Sequence, residues 1–339
     1  MVTALDQRQL LSIVVPCYNE EESFPALRAA LALVAAELEK EALRVELVFV
    51  DDGSRDGTWG QIAAFAAADA RVHGVSLARN FGHQAALTCG YDLARGDAVV
   101  CLDADLQDPP ELITVLVRKW REGYDVVYAV REHRQGESAF KRWTAACFYR
   151  LLRRLGATYV RADCGDFRLM NRASVDALGR LHEYHRFIRG LVGWVGFRTA
   201  EVCYQRRPRR AGVTKYPLPK MVRLALDAVV SFSSAPLRLT YWLAGGLMVV
   251  VLGYLTYVLI NHFMFGGPLL PGWSSLILVI TLFGAVNLFC LGLMGEYIGR
   301  IYEQVKNRPL YLVRQQLTGG DVATVRTTAQ ADSPASSSG

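Results

Sequence analysis

Ala98-Val99-Val100-Cys101-Leu102-Asp103-Ala104-Asp105-Leu106-Gln107-Asp108-Pro109-Pro110-Glu111 is the stretch that decides the fold. Its apolar run is too short for a helix and ends in two carboxylates one residue apart. Pro110 then opens a segment to Glu122 that reads as a helix, with Gly123 just past its end. The same alternation holds on either side. Strands are predicted at Ser12–Pro16, Val45–Val50, Val72–Leu77, Ala98–Leu102 and Val126–Val130, with helices over Ser23–Ala42 and Thr58–Ala68. Short β-branched runs separated by helices imply an α/β fold with a doubly wound, mostly parallel sheet. Ligands on such a sheet lie beyond the carboxyl ends of the strands.

Those ends are acidic. Val14-Val15-Pro16-Cys17-Tyr18-Asn19-Glu20-Glu21 follows the first strand with no glycine, so the G-x-G-x-x-G loop of a dinucleotide-binding fold is excluded. Glu20, the pair Asp51-Asp52, Asp103 and Asp105 stand there instead. Carboxylates repel a diphosphate unless a cation lies between them. A hard divalent metal bridging Asp side chains and substrate phosphates is the simplest reading, and Mg²⁺ is commonly held in this way. Asp51-Asp52-Gly53-Ser54 also has a local reading, because Asp, Gly and Ser build turns and caps, and Asp56 fits a cap.

The 339 residues carry a net charge of +6 and are 52% hydrophobic, which excludes a mainly disordered chain. Charged residues make up 21% and are unevenly spread: none occurs among the 57 residues from Leu239 to Gly295. A plain soluble enzyme is therefore not expected. Leu239–Phe265 and Trp273–Leu293 are each long enough to span a bilayer, which takes about 20 apolar residues. Gly266-Gly267-Pro268 and Pro271-Gly272 turn the chain between them, giving a two-helix transmembrane hairpin within residues 237–298, the second helix reaching about 295. The competing reading is a long buried hairpin in a soluble core. Eight basic residues against one acid between Tyr204 and Arg238, with no Lys or Arg in the hairpin turn, put both termini on the cytoplasmic side of the membrane.

Residues 1–216 form the catalytic-sized domain. Residues 217–236 mix Lys220 and Arg223 with apolar side chains and read either as an amphipathic segment on the membrane surface or as an ordinary packed helix. Residues 299–317 are a cytoplasmic C-terminal segment, and residues 318–339, rich in Thr, Ser, Ala and Gly, a disordered tail. The seven cysteines form no CxxC pair, so reduced thiols rather than a disulfide framework or zinc site are expected. Met1–Leu11 lacks the apolar core of a secretory signal. His83, His133, His182 and His185 show no metal-ligand spacing, and surface or core roles are expected for them. No nucleic-acid partner is expected.

The acidic motifs, together with Arg79-Asn80-Phe81-Gly82, Gly165-Asp166-Phe167-Arg168-Leu169-Met170, Ala211-Gly212-Val213-Thr214-Lys215-Tyr216 and Gly295-Glu296-Tyr297-Ile298-Gly299-Arg300, resemble inverting GT-A glycosyltransferases of family 2. More narrowly they resemble polyprenyl-phosphate sugar transferases, the group that includes dolichyl-phosphate mannose synthases and bactoprenol glucosyltransferases. The resemblance runs to about Leu312. It implies a GT-A sheet and sugar transfer from a nucleoside diphosphate, with UDP-glucose favoured, to an undecaprenyl-type polyprenyl phosphate at the bilayer surface. It also implies Mg²⁺ or Mn²⁺ as cofactor, and a homo-oligomer, since related enzymes form tetramers.

By resemblance, Pro16, Tyr18, Glu20 and Asp52 line the base and ribose, while Asp103 and Ala104 contact the nucleotide-sugar. Asp105 and Gln107 ligate the metal, Arg131 approaches the phosphates, and Arg209 and Lys215 close over the diphosphate. A flexible cationic loop suits a leaving diphosphate in any case, although basic residues before a span are also what membrane orientation requires. Lys141 and Arg142, beside Trp143, Phe148 and Tyr149, are candidates for the acceptor phosphate or an ordinary solvated helix face. Asp166, after a strand break expected at Gly165, orients the acceptor or acts as a base, and Arg168 is its candidate structural partner. Asp103, Asp105, Arg131 and Asp166 are thus the expected catalytic set. Two other functions compete. A processive polysaccharide synthase would carry Gln-x-x-Arg-Trp, but Ala139 stands at the Gln position before Arg142-Trp143. A membrane-anchored nucleotide-sugar scaffold would have no need of the intact acidic cluster. Glu296 is placed to pair with Arg300, four residues on.

Overall fold

The computed structural model describes residues 8–132, 164–206, 235–265 and 272–319. The chain divides into two compact units. One comprises Met1–Ala145, Tyr159–Lys215 and Arg308–Gly339, the other Ala146–Thr158 and Tyr216–Asn307.

The first unit is built on an eight-stranded sheet in the order β7-β5-β6-β4-β1-β2-β3-β8. In chain order the strands are β1 (Leu10–Cys17), β2 (Arg44–Asp51), β3 (Val72–Leu77), β4 (Ala98–Cys101), β5 (Val126–Arg131), β6 (Cys164–Asn171), β7 (Thr199–Tyr204) and β8 (Val313–Leu317). The helices of this unit are α1 (Phe24–Lys40), α2 (Thr58–Ala68), α3 (His83–Leu93), α4 (Leu112–Arg121), α5 (Arg172–Gly179) and α6 (Ile188–Val195). Strands β1, β2, β3 and β4 pair in parallel, as do β5 and β7. Strand β6 runs antiparallel between β4 and β5, with Cys101 and Tyr128 both opposite Arg168, and β8 runs antiparallel along β3.

This is the expected doubly wound, mostly parallel α/β sheet. The near-continuous Val and Leu runs of β1 and β2 are buried along almost their whole length, as strands covered on both faces must be. On one face Leu27, Leu31 and Leu38 of α1 pack with Ile13, Leu47 and Phe49, and Ile113, Leu116 and Val117 of α4 extend the same core.

The strand break expected at Gly165 is absent, because Gly165 lies inside continuous β6. Its lack of a side chain serves packing, since a Cβ there would stand 2.8 Å from Arg131 Nη2. Within the C-terminal segment 299–317, the described residues from Arg308 on belong to the first unit, where β8 supplies the edge strand. Thr318 and Gly319, expected in the disordered tail, are described, and a Cβ on Gly319 would collide with Ala70 O.

The second unit contains α7 (Ala235–Phe265) and α8 (Trp273–Val305). Both are long and apolar enough to cross a membrane, over Thr240–Met264 and Val279–Val305. Their large apolar side chains, Leu252, Phe263, Ile280 and Leu288 among them, are exposed within the unit. Helix α8 runs to Val305, past the end expected near 295, and Glu296 accepts from Arg300 Nε at 2.9 Å as its spacing predicts. The segment 217–236 lies almost wholly outside the described residues.

Candidate active site

The carboxyl ends of β1, β2 and β4 carry the acidic loops, and β3 adds Arg79-Asn80-Phe81-Gly82 beside them. Pro16 is buried within β1 opposite Val50, so it shapes the strand end. Tyr18 emerges 43% exposed. Asn19 takes a positive φ of 55° and ties two loops together: its amide donates to Ser54 Oγ at 2.9 Å, and its Oδ1 accepts from the Arg55 amide at 2.9 Å. The Glu20 amide donates to Thr58 Oγ1 at 2.9 Å, and its carboxylate accepts from Ser23 Oγ. The N-cap of α2 is Gly57 and not Asp56, which sits one residue earlier and turns the chain there, its Oδ1 accepting from the amide and hydroxyl of Thr58 at 3.1 and 2.6 Å.

Asp52 is buried. Its Oδ1 accepts from the Phe81 amide at 2.7 Å and its Oδ2 from the Gly82 amide at 2.9 Å. Burial raises its pKa, opposed by those two amides. A carboxylate offers about four lone-pair sites, so Asp52 retains acceptor capacity after both bonds. Gly53, with φ of 68°, passes so close to the next loop that a Cβ would lie 2.5 Å from the Arg79 carbonyl carbon. Asp51 serves the frame: fully buried, it accepts from the Ser54 amide and the Ser76 hydroxyl, both at 3.0 Å.

After β4, the Leu102 amide donates to Val14 O at 3.0 Å, and the chain then leaves the sheet. Asp103 Oδ1 is buried without a hydrogen-bond partner among the described residues, and His83 Nε2 stands 3.7 Å from it. Burial raises the Asp103 pKa, as do the neighbouring carboxylates of Asp166, Asp108 and Asp105, while His83 opposes them. Ala104 and Gln107 are buried, and Asp105 Oδ1 accepts from the Gln107 amide at 3.1 Å. Asp108 is fully buried and organises a cationic corner. Its Oδ1 accepts from the Tyr204 hydroxyl and lies 3.2 Å from Arg206 Nε, while Arg131 Nη2 approaches Oδ2 at 3.4 Å. Arg131 Nε also donates to the Tyr204 oxygen at 3.2 Å.

Because β6 is antiparallel, its first residues reach the edge where the parallel strands end. Asp166 therefore sits near Asp103. It is 1% exposed, and its Oδ1 accepts from Arg168 Nη2 at 2.9 Å and Arg189 Nε at 3.1 Å. Its Oδ2 accepts from Arg189 Nη2 at 2.7 Å and lies 3.4 Å from His83 Nε2. Burial opposes its charge, but His83, Arg189 and Arg168 outweigh burial and hold the carboxyl far below the usual range. Arg168, fully buried, is its structural partner as expected.

The glycosyl transferase family 2 pattern matches residues 12–179, the span that carries these loops. YkcC, an uncharacterized glycosyltransferase of Bacillus subtilis, is 46% identical over 309 residues, covering 90% of this chain and 93% of its own. The chain belongs to glycosyl transferase family 2. A second similar protein is the SfII prophage-derived bactoprenol glucosyl transferase of Shigella flexneri, 41% identical over 311 residues that cover 91% of this chain and 99% of its own. An uncharacterized glycosyltransferase of Synechocystis, sll0501, is 44% identical over 303 residues, covering 89% of this chain and 94% of its own.

The chain is therefore a glycosyltransferase, and the scaffold reading is set aside. The donor atoms of its acidic loop suit a hard divalent cation. Among the described residues Asp103 Oδ1 is a buried oxygen without a hydrogen bond, Asp105 is partly exposed beside it, and Gln107 adds an amide oxygen. Among the described residues no three His, Cys, Asp or Glu side chains converge closely enough to form a metal cage. A site completed by substrate phosphates does not need one.

Several members of this glycosyltransferase site escape a sequence reading. His83 faces two carboxylates, Arg189 clamps Asp166, and Asp108 with Tyr204 holds Arg131. Asp108 stood inside the quoted motif, but His83, Arg189 and Tyr204 carry no local pattern. Lys141, Arg142, Arg209 and Lys215 lie outside the described residues.

Proposed function

We propose that this glycosyltransferase moves a sugar, glucose from UDP-glucose, onto a polyprenyl phosphate of the undecaprenyl type. The reaction takes place at the cytoplasmic face of the membrane and yields a lipid-linked monosaccharide. The observation that carries the reading is the meeting of Asp52, Asp103 and Asp105 at one sheet edge with Arg131 and the Asp166 cluster. The names of the bactoprenol glucosyl transferases, similar over nine-tenths of the chain, support the lipid acceptor and glucose. The two apolar helices support membrane attachment, and the basic flank before α7 supports the cytoplasmic orientation.

In this reading Tyr18, Glu20 and Asp52 receive the base and ribose, with Pro16 shaping the strand end beneath them. Asp103 and Ala104 meet the nucleotide-sugar. Asp105 and Gln107 would hold Mg²⁺ or Mn²⁺, which would neutralise charge on the departing diphosphate. Arg131, oriented by Asp108 and Tyr204, approaches the same phosphates, with Arg209 and Lys215 closing over them. The acceptor phosphate, met by Lys141 and Arg142, attacks the anomeric carbon opposite the diphosphate. The new C–O bond forms as the old one breaks, UDP departs with the electron pair, and the configuration inverts.

A phosphate monoester has a second pKa of about 6, so the nucleophile is already anionic at neutral pH. Asp166 is then an orienting group rather than a base. A carboxylate gripped by two guanidinium groups has little affinity for a proton. Positioning and leaving-group stabilisation supply the catalysis.

The test supplies purified protein in detergent with undecaprenyl phosphate, Mg²⁺ or Mn²⁺, and a panel of labelled UDP- and GDP-sugars. A metal-dependent lipid-linked monosaccharide from UDP-glucose is expected, and none from well-folded Asp105→Ala. Product from another donor replaces glucose. Nucleotide release without lipid product removes the acceptor, and near-normal Asp105→Ala activity removes the metal assignment.

A further inference from the structure

His83 is the first residue of α3, where a cation opposes the helix macrodipole. The surrounding geometry gives it a task there. Asp52 binds the amides of Phe81 and Gly82, and so fixes the backbone that enters the helix at Gly82, whose φ is 98°. The next side chain, His83, directs Nε2 between Asp166 Oδ2 at 3.4 Å and Asp103 Oδ1 at 3.7 Å. Asp103 Oδ1 is buried and has no hydrogen bond among the described residues. The following residue, Gln84, accepts from the Ile188 amide at 3.0 Å, and so holds the start of α6, from which Arg189 reaches Asp166.

The first turn of α3 therefore braces both sides of the site. Without a cation between them, Asp103 and Asp166 repel each other. Asp166 has two arginines to hold its charge. Asp103, facing His83, is the carboxylate that would turn away.

We propose that His83 is a positioning residue for donor binding. Through its contact with Asp103, braced by Asp166, it keeps the Asp103 carboxylate turned toward the nucleotide-sugar. The inference rests on the donor reading above. A second-layer contact of this kind typically carries 10–100-fold in affinity or activity.

The experiment measures UDP binding with Mn²⁺ by calorimetry, and donor and acceptor KM separately, for full-length wild type, His83→Ala, His83→Gln and His83→Lys. His83→Ala is expected to weaken UDP and raise donor KM by about tenfold with acceptor KM unchanged. His83→Gln and His83→Lys, which keep an N–H donor, recover part of the loss. In an Asp103→Asn background, His83→Ala is expected to weaken UDP no further, because coupled residues are not additive. Wild-type donor KM and UDP affinity in His83→Ala overturn the inference. So does equal weakening in all three variants, or a full additional loss on top of Asp103→Asn. If His83→Ala does not fold, His83→Gln and His83→Lys decide, since UDP affinity no better than that of Asp103→Asn in both overturns the inference. Wild-type protein that binds no UDP with Mn²⁺ overturns the donor reading and this inference with it.

Discussion

Arg314, in the last strand of the catalytic sheet, donates from Nη2 to the Ser76 hydroxyl at 2.9 Å, and that hydroxyl donates in turn to Asp51 Oδ2 at 3.0 Å. Chain that comes after the two long apolar helices thus reaches the loop holding Asp52. Strand β8 also covers the edge of β3, with Ala78 N–H bonded to Leu312 O at 2.8 Å and Leu317 buried. Arg314→Ala is expected to cost about 1 kcal/mol, the net worth of one such hydrogen bond. Ending the chain at Leu312 costs about 2–4 kcal/mol more, because it also exposes Leu317's burial site and leaves β3 as an edge. Thermal unfolding in detergent checks both, and donor KM is expected to rise in the truncated chain.

Asp166→Asn leaves Arg168, fully buried, without its carboxylate, and frees Arg189 from its bidentate contact. Removing one partner of a buried charge pair costs about 3–5 kcal/mol. A correspondingly large fall in melting temperature is expected. If the folded variant keeps its pH–rate profile with reduced kcat, Asp166 orients; loss of an acidic limb would make it the base.

Tyr204→Phe removes the hydroxyl that donates to Asp108 and accepts from Arg131 Nε. A buried group losing such a partner costs about 1–3 kcal/mol. Turnover is expected to fall about tenfold or more through a loosened Arg131, with acceptor KM less affected.

Gly53→Ala forces a Cβ to 2.5 Å from the Arg79 carbonyl carbon at a φ of 68°. The left-handed conformation alone costs an alanine about 1–2 kcal/mol, and the backbone contact adds to it. Weakened UDP binding is expected to exceed any loss in kcat, because the displaced loops carry Asp52 and its amide donors.

The pairing of His83 has a definite pH sign. Burial works against its charge, but Asp166 and Asp103 outweigh it, so its folded pKa lies above the ordinary 6.5. A raised histidine contributes stability that is complete below 6.5 and fades as pH climbs through the folded value. The melting-temperature gap between wild type and His83→Ala is therefore expected to be wider at about pH 6 than at about pH 9.

Strand β3 and helix α2 occur over Val72–Leu77 and Thr58–Ala68, the very ranges their apolar patterns predict. Other elements were hidden for physical reasons. Strand β6 holds Asp166 and Arg168 inside a buried run, so its hydrophobic pattern is broken by a charge pair that only the fold satisfies. Strand β8, Val-Arg-Gln-Gln-Leu, is a polar edge strand that needs β3 beside it. Helix α3 contains Gly90, a weak helix former, kept because a Cβ there would strike Val14 Cγ1.

The sequence by itself determined the features that arise from local pattern. Apolar runs of strand length make the parallel core, carboxylates at their ends make an acidic edge, and a 57-residue stretch without Asp, Glu, Lys or Arg makes two long apolar helices. Tertiary structure alone decided which distant groups meet. An antiparallel strand inserted between β4 and β5 carries Asp166 to the edge where Asp103 follows β4, and packing of α3 and α6 brings His83 and Arg189 onto it. Periodicity records which way each side chain faces, but the partner of a buried charge is set by through-space electrostatics between segments far apart in the chain.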